Sequence, residues 1–389
     1  MQRPFLEVTI RNPSASALIC VALSVCAPAF AASEFETLAP HAVIIDYETG
    51  TVLFEKDARE AVPPASMTKI MTADMVFEAL ETGTLTEDTV FRVSENAWRR
   101  GGSASGSSTM FLDLNSEVSV GDLLKGVIIQ SGNDACIVLA EGMAGSELAF
   151  ADRMNARGRE LGLASINFVN STGWPDEGHV ISTLDLARLA EHTIRTYPER
   201  YRLYAEPRFE WNGIAQANRN PLLGRMDGAD GLKTGHTEVS GYGLVASAER
   251  GGERRIVVVN GLDSEADRAR ESERLMRAAF DQFRVYDLLA SGAAVGEIEV
   301  YMGEADTVGV AVAEDVSSGL FRGDRDGLRT RIEYTAAPAP VTKGDTLATL
   351  IVSEPGRDER RIELVATEDV ARKGAMGRAL DSLVAKIRS

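Results

Sequence analysis

Hydrophobic residues change their spacing repeatedly along this chain, and the order of the changes excludes most architectures. His41-Ala-Val-Ile-Ile-Asp46 and Thr51-Val-Leu-Phe54 flank the turn Tyr47–Gly50 and predict a β-hairpin. Val62-Pro63-Pro64-Ala65 then breaks the chain. Helical spacing follows, with Ile70, Met71, Ala73, Val76, Phe77 and Leu80 along one helix, and it recurs over 119–130, 133–143, 146–162 and 183–196. Residues 205–215 carry no clear pattern. Residues 241–249 and 254–261 read as strands, and 264–284 as a helix with Leu275, Met276, Ala279 and Phe280 on one face. This order predicts an α+β fold, an antiparallel sheet packed with helices, and not a series of βαβ units.

Beyond about residue 288 the helical spacing stops. Strand-like segments follow at 297–301, 307–311, 329–334, 346–352 and 361–365, with no helix between them, and predict a small all-β domain. In the last segment Met376, Leu380, Leu383, Val384 and Ile387 fall on one helical face. Past Val370 this segment carries Arg372, Lys373, Arg378, Lys386 and Arg388 against Asp381 alone. On a chain of net charge -17, such a basic amphipathic helix suits an anionic membrane surface; a packing helix is the alternative.

At the other end, Arg3 and Arg11, an apolar stretch from Ala17 to Ala27, and Ala29-Phe30-Ala31 have the form of a secretory signal with its cleavage site. An uncleaved anchor shares the same apolar core. The expected boundaries are a signal peptide over 1–31, a first domain over 33–286, the β domain over 288–366 and the helix over 368–389. Export would place the mature protein in the periplasm, peripheral to the inner membrane. The acidic balance argues against a nucleic-acid partner.

Cysteine and histidine usage narrows the chemistry. Cys20 and Cys26 would leave with the signal, and Cys136 sits in the apolar run Asp134–Ala140, which suits a structural thiol better than a nucleophile. His41, His179, His192 and His236 lack metal-ligand spacing, so neither a metal nor a cofactor is expected.

Three motifs occur in order: Ser66-Met67-Thr68-Lys69, Ser131-Gly132-Asn133 and Lys233-Thr234-Gly235. Each is weak alone; together and in this order they resemble the S-x-x-K, S-D-N and K-T-G set of β-lactamases and penicillin-binding proteins, with Gly132 where that set has Asp. Ser66 follows the Pro-Pro break at the start of a helix, and Lys69 lies one turn further on the same face. A serine hydroxyl needs a base to become a nucleophile, and a buried lysine beside a second cation can lose enough basicity to serve. Lys233 and Thr234, on a strand edge, can hold a carboxylate, and Gly235 lets a backbone approach closely.

The sequence resembles the low-molecular-mass penicillin-binding proteins of the D-alanyl-D-alanine carboxypeptidase family. The resemblance covers about residues 35–285 and extends to Pro64–Thr72, Gly106–Phe111, Gln130–Cys136, Met154-Asn155, the stretch around Asn170, Gly173 and His179, Asn218-Arg219-Asn220 and Asp230–Thr237. It implies a serine β-lactamase/DD-peptidase-like catalytic domain acting on peptidoglycan stem peptides that end in D-Ala-D-Ala, and covalent binding of β-lactams. It also implies roles. Ser66 would be acylated, Lys69 would be the base and Ser131 would relay protons beside Lys233. Asn133 would contact the substrate amide and Lys69, and the N–H groups of Ser66 and His236 would form the oxyanion hole. Thr234 would bind the terminal carboxylate, with Arg219 or Arg268 assisting. Trp174-Pro175 departs from the family's Gly-Leu and would alter a loop beside the site. A DD-endopeptidase and a non-catalytic cell-wall scaffold are the rival readings.

Overall fold

The computed structural model describes residues 8–11, 35–355 and 357–374, which fall into two units. One comprises Glu36–Phe283; the other comprises Arg284 onward together with the chain up to Phe35. The expected cleavage site and most of the expected signal segment over 1–31 lie outside the described residues. Residues Val8–Arg11 form a short strand, β1, of the second unit.

In the first unit, β2 (His41–Asp46) and β3 (Val52–Lys56) make the hairpin and α1 (Lys69–Glu81) follows. A small strand pair, β4 (Val90–Arg92) and β5 (Glu117–Ser119), precedes α2 (Val120–Lys125), α3 (Asn133–Ala144) and α4 (Glu147–Glu160). After α5 (Thr183–Thr196) and the short α6 (Pro198–Tyr201), the unpatterned stretch forms a hairpin of β6 (Arg208–Trp211) and β7 (Ile214–Ala217). Strands β8 (Ala229–Thr237), β9 (Gly241–Arg250) and β10 (Glu253–Leu262) lead into α7 (Glu265–Asp281).

The sheet is antiparallel in the order β3-β2-β10-β9-β8, which leaves β8 on an edge. Helices cover it on both sides, so β10 reads as the unbroken apolar run Ile256–Val259. Ile256 and Val258 enter the core shared with α1 and α5, while Val257 and Val259 fall on the opposite face, all fully buried. Serine caps set the helix starts: Ser119, Ser146, Ser182 and Ser264 accept from the backbone N–H three residues on. Helix α1 is buried nearly all round, from Lys69 to Phe77, and forms the central post of the unit.

The second unit is all-β. Its strands are β11 (Phe283–Leu289, from the unit boundary), β12 (Ala294–Tyr301), β13 (Thr307–Val312), β14 (Val316–Phe321), β15 (Arg329–Tyr334), β16 (Ala337–Pro338), β17 (Thr346–Ser353) and β18 (Arg360–Ala366). The main sheet runs β1-β15-β17-β18-β13-β12-β16, and β11 pairs with β14. Ile298, Val310, Leu350, Val352 and Leu364 fill its core. One expectation needs correction. Residues 368–374 do not open a helix: Val370 bridges Val341, Arg372 bridges Gly303, and the Val370 side chain is buried in the β core. Burial of that valine outweighs local helical preference. The helix expected over the remainder, to 389, lies outside the described residues.

Candidate active site

Ser66 does not sit on α1 itself. It lies on a tight turn, Ala65–Thr68, that runs into the helix at Lys69. Ala65 holds a left-handed backbone, φ 48°, at a cost of roughly 1–3 kcal/mol for a residue with a side chain. Two glycines press against this turn. A Cβ on Gly173 would stand 1.9 Å from the Ala65 carbonyl oxygen, and one on Gly235 2.7 Å from that of Pro64. Gly235 therefore makes room for the serine turn, a structural demand on this glycine that stands beside its expected role toward a substrate backbone.

Lys69 is 1% exposed, and its Nζ donates to three oxygens: Ser66 Oγ at 3.0 Å, Asn133 Oδ1 at 2.8 Å and the Thr172 carbonyl at 2.6 Å. All three ammonium protons are accounted for, and every acceptor is neutral. Burial lowers the Lys69 pKa from 10.5 to about 8. The Arg219 cation works in the same direction, and Asp134 and Glu147 oppose it.

Each partner of Lys69 is itself held. Asn133 opens α3, and its Nδ2 donates to Ser107 Oγ at 3.0 Å. The next residue, Asp134, is fully buried and accepts from Thr109 Oγ1 and from the backbone N–H of Met110, Ala135 and Leu112, which ties the 107–112 segment to α3. The Thr172 carbonyl is aimed by Asn170, whose Oδ1 accepts from the N–H groups of Thr172, Gly173 and Trp174 and from Thr172 Oγ1. Ser131 precedes α3, 1% exposed, in a left-handed conformation with φ 61°.

Lys233, Thr234 and Gly235 lie on the edge strand β8, paired with Val245, Leu244 and Gly243 of β9. Lys233 is buried, and its pKa falls well below that of an ordinary lysine, first through desolvation, then through the Lys69 and Arg219 cations. His236 is exposed and stacks on Tyr242 across the hairpin, ring centroids 3.8 Å apart. Arg268 lies beneath, 4% exposed, its guanidinium over the Tyr242 ring and paired with Glu265 at 2.8 Å. Arg219 donates to Ser108 Oγ at 2.5 Å. Lys69, Lys233, Arg219 and Arg268 thus form one positive field, suited to an anionic group bound along β8.

The structure joins Ser66, Lys69 and Asn133 by direct hydrogen bonds and brings Lys233, Arg219 and Arg268 in by charge. Cys136 is fully buried on α3, and burial pushes its thiol up to about 12, so it is neutral and unsuited to nucleophilic attack. No grouping of metal ligands exists among the described residues. Sequence reading did not single out the Thr172 carbonyl, because a backbone oxygen leaves no mark in composition. The Asn170-Ser-Thr-Gly173 run, an Asx-turn sequence ahead of a left-handed glycine, is the signal that points to it.

A serine hydrogen-bonded to a buried, weakened lysine, flanked by an edge strand with a second lysine, defines a serine acyl-enzyme hydrolase of the penicillin-recognising kind. The D-alanyl-D-alanine carboxypeptidase family pattern matches residues 28–264, and that of the penicillin-binding protein 5 C-terminal domain matches 283–372. The D-alanyl-D-alanine carboxypeptidase DacC of Escherichia coli is 37% identical over 348 residues, 88% of this chain and 87% of that one. Penicillin-binding protein 5 of Haemophilus influenzae superposes with a TM-score of 0.69 at 35% identity, covering 87% of this chain and 98% of its own. Penicillin-binding protein D2 of Listeria monocytogenes, in its ampicillin-bound form, covers 62% of this chain and 97% of its own, with a TM-score of 0.55 at 31% identity. The chain belongs to the D-alanyl-D-alanine carboxypeptidase family and is a serine-type D-Ala-D-Ala carboxypeptidase.

Proposed function

We propose that the enzyme removes the terminal D-alanine of peptidoglycan stem peptides through an acyl-enzyme on Ser66. Lys69, in its neutral fraction, takes the Ser66 hydroxyl proton as Oγ attacks the penultimate D-Ala carbonyl. The backbone N–H groups of Ser66 and His236 receive the developing oxyanion. The proton passes to the leaving nitrogen through Ser131, poised by Lys233, as the peptide bond breaks and D-alanine departs. Water then attacks the ester with Lys69 again as base, which frees Ser66 and the shortened peptide. Asn133 orients the substrate amide. Thr234 binds the terminal carboxylate within the field of Lys233, Arg219 and Arg268. A β-lactam acylates the same serine.

The observation that carries this reading is the 3.0 Å contact of Lys69 Nζ with Ser66 Oγ, in a site that gives the lysine no carboxylate partner. The test follows fluorescent-penicillin labelling and D-Ala release from a diacetylated Lys-D-Ala-D-Ala tripeptide in the same sample. Both should occur, and Ser66→Ala should abolish both. Labelling without D-Ala release would favour an endopeptidase, and absence of labelling a non-catalytic scaffold.

The same reading places the enzyme in the periplasm, with residues 375–389 bringing it to the membrane surface through Arg378, Lys386 and Arg388. Deleting that segment should release the protein from washed membranes with D-Ala release intact; retention in the membrane fraction would refute the anchoring role.

A further inference from the structure

One buried carboxylate beside the site has no part in the mechanism above. Glu147, at the start of α4, has a side chain only 10% exposed. Its Oε1 accepts from the Ser171 N–H at 3.3 Å and the Ser171 hydroxyl at 2.9 Å. Its Oε2 pairs with Arg100 at 3.2 Å, and the Arg100 guanidinium lies over the Trp174 ring, 5.2 Å from its centroid. Ser171 immediately precedes Thr172, whose carbonyl holds Lys69. On α1, Thr72 Oγ1 donates to the Ser171 carbonyl at 2.7 Å, so the Ser171 backbone is gripped from both sides. Arg100 and Glu147 thereby clamp the loop that supplies a ligand to the base, and the Trp174 ring closes the clamp.

We infer that Glu147 is a positioning residue for the acylation step, holding the Thr172 carbonyl on Lys69 and setting, with Arg100, the charge that the lysine feels. The inference rests on Lys69 as the acylation base. The charged and titratable groups around that lysine are Asp134 and Cys136 on α3, Lys233 on β8, Arg219 ahead of β8, and His179 beyond the 170–174 loop. None of them bonds to Ser171. Glu147 therefore couples the geometry of the loop to the electrostatics of the base, and its charge is partly cancelled by Arg100. This arrangement makes a signed prediction. An anion near a lysine stabilises the ammonium, and its removal weakens the lysine further.

The experiment is the pH dependence of the second-order rate of Ser66 acylation by fluorescent penicillin, from pH 6 to 10, for wild type, Glu147→Gln and Arg100→Gln. Glutamine keeps an acceptor for Ser171 and loses the charge. Its acid limb should move to lower pH by roughly half a unit. Arg100→Gln leaves Glu147 unneutralised, and its limb should move to higher pH by a similar amount. Glu147→Ala, which removes both acceptor and charge, should lower the plateau rate about tenfold or more, since a misplaced group near the reacting atoms is costly. Unmoved limbs in both glutamine variants, with only melting temperature lowered, would make Glu147 a structural brace and overturn the inference. If Glu147→Gln does not fold, Arg100→Gln, altered at a half-exposed side chain, decides the question by the sign of its shift. A wild-type profile with no acid limb near pH 8 would instead remove Lys69 as the base, a distinct failure.

Discussion

Helix α1 buries two charged side chains little more than one turn apart, Lys69 and Asp74, and surrounds them in opposite ways. Asp74 is fully buried and faces a counter-charge, with Arg157 Nε 3.2 Å from one carboxylate oxygen and His192 Nε2 3.3 Å from the other. Arg157 also pairs with Glu78 at 3.1 Å and Glu160 at 3.4 Å. Burial alone would lower the Arg157 pKa, yet Asp74 and its neighbours outweigh it and the pKa rises. Lys69 has as much burial and no carboxylate in contact, only a hydroxyl, an amide oxygen and a carbonyl. A buried charge that faces a counter-charge braces the helix. A buried charge met only by dipoles can gain or lose its proton near neutral pH, and that is the state of a catalyst.

The largest expected effect comes from making Lys69 resemble its matched neighbour. Lys69→Arg keeps a cation that cannot deprotonate, so acylation by penicillin should fall by about 10³-fold, within the usual range for loss of a general base. Fitting the larger guanidinium into so tight a site also lowers the melting temperature, so the rate is compared per folded molecule. A Lys69→Arg enzyme that acylates at a rate near wild type would dissolve the distinction between the two ends of the helix. The converse substitution is Asp74→Ala, which takes the principal partner from the partly buried Arg157 and leaves it Glu78 and Glu160. It should destabilise the fold by about 1.5–3 kcal/mol in urea titration, with acylation per folded molecule close to wild type. A catalytic loss as deep as that of Lys69→Arg, without destabilisation, would place Asp74 in the chemistry.

The same contrast explains what the sequence could and could not disclose. Ser66, Lys69 and Lys233 were legible because their chemistry requires particular residue types in a fixed order. The helices and the run Ile256–Val259 were legible because periodicity follows burial. Strands β6 and β7 escaped because their alternation is weak, with Ile214 and Ala215 exposed. Strand β11 was hidden by reading the helix on to 284, whereas α7 ends at Asp281. Val370 falls within the segment expected as helix, and its bridge to Val341 puts it in the β core instead. The packing of Gly235 on the Pro64 carbonyl joins segments distant in sequence, so no local pattern announces it. The Thr172 carbonyl and the Glu147 clamp are contacts between remote segments, for which no local pattern exists.

His179 sharpens the comparison from a third position. It is 2% exposed, stacked on Phe168 at 5.2 Å, with Nδ1 accepting from the Val169 N–H at 3.0 Å and Nε2 bonded to Thr68 Oγ1 at 2.9 Å. With Nδ1 as acceptor, Nε2 carries the proton and donates to the threonine beside Lys69. Like Lys69, this ring is buried among neutral partners, and burial lowers its pKa from 6.5 to about 4. The window differs, however: Lys69 titrates near working pH, and His179 stays neutral throughout it. Its titration therefore appears in stability and not in rate. Between pH 6.5 and about 4 the unfolded chain binds a proton on this histidine that the folded protein refuses. The contribution is complete above pH 6.5 and is lost as pH falls toward 4, at up to about 1.4 kcal/mol per pH unit. Carboxylates held at low pKa, such as Glu271, lose stability in the same direction, so the useful quantity is a difference. Urea unfolding of wild type and His179→Asn, stepped from pH 7 to 4.5, should give two curves that converge on acidification, with the variant less stable at pH 7. Parallel curves would mean that the folded protein protonates His179 as readily as the unfolded chain. The ring would then be a surface-like histidine, and its fixed link to Thr68 at the foot of the nucleophile turn could not be maintained.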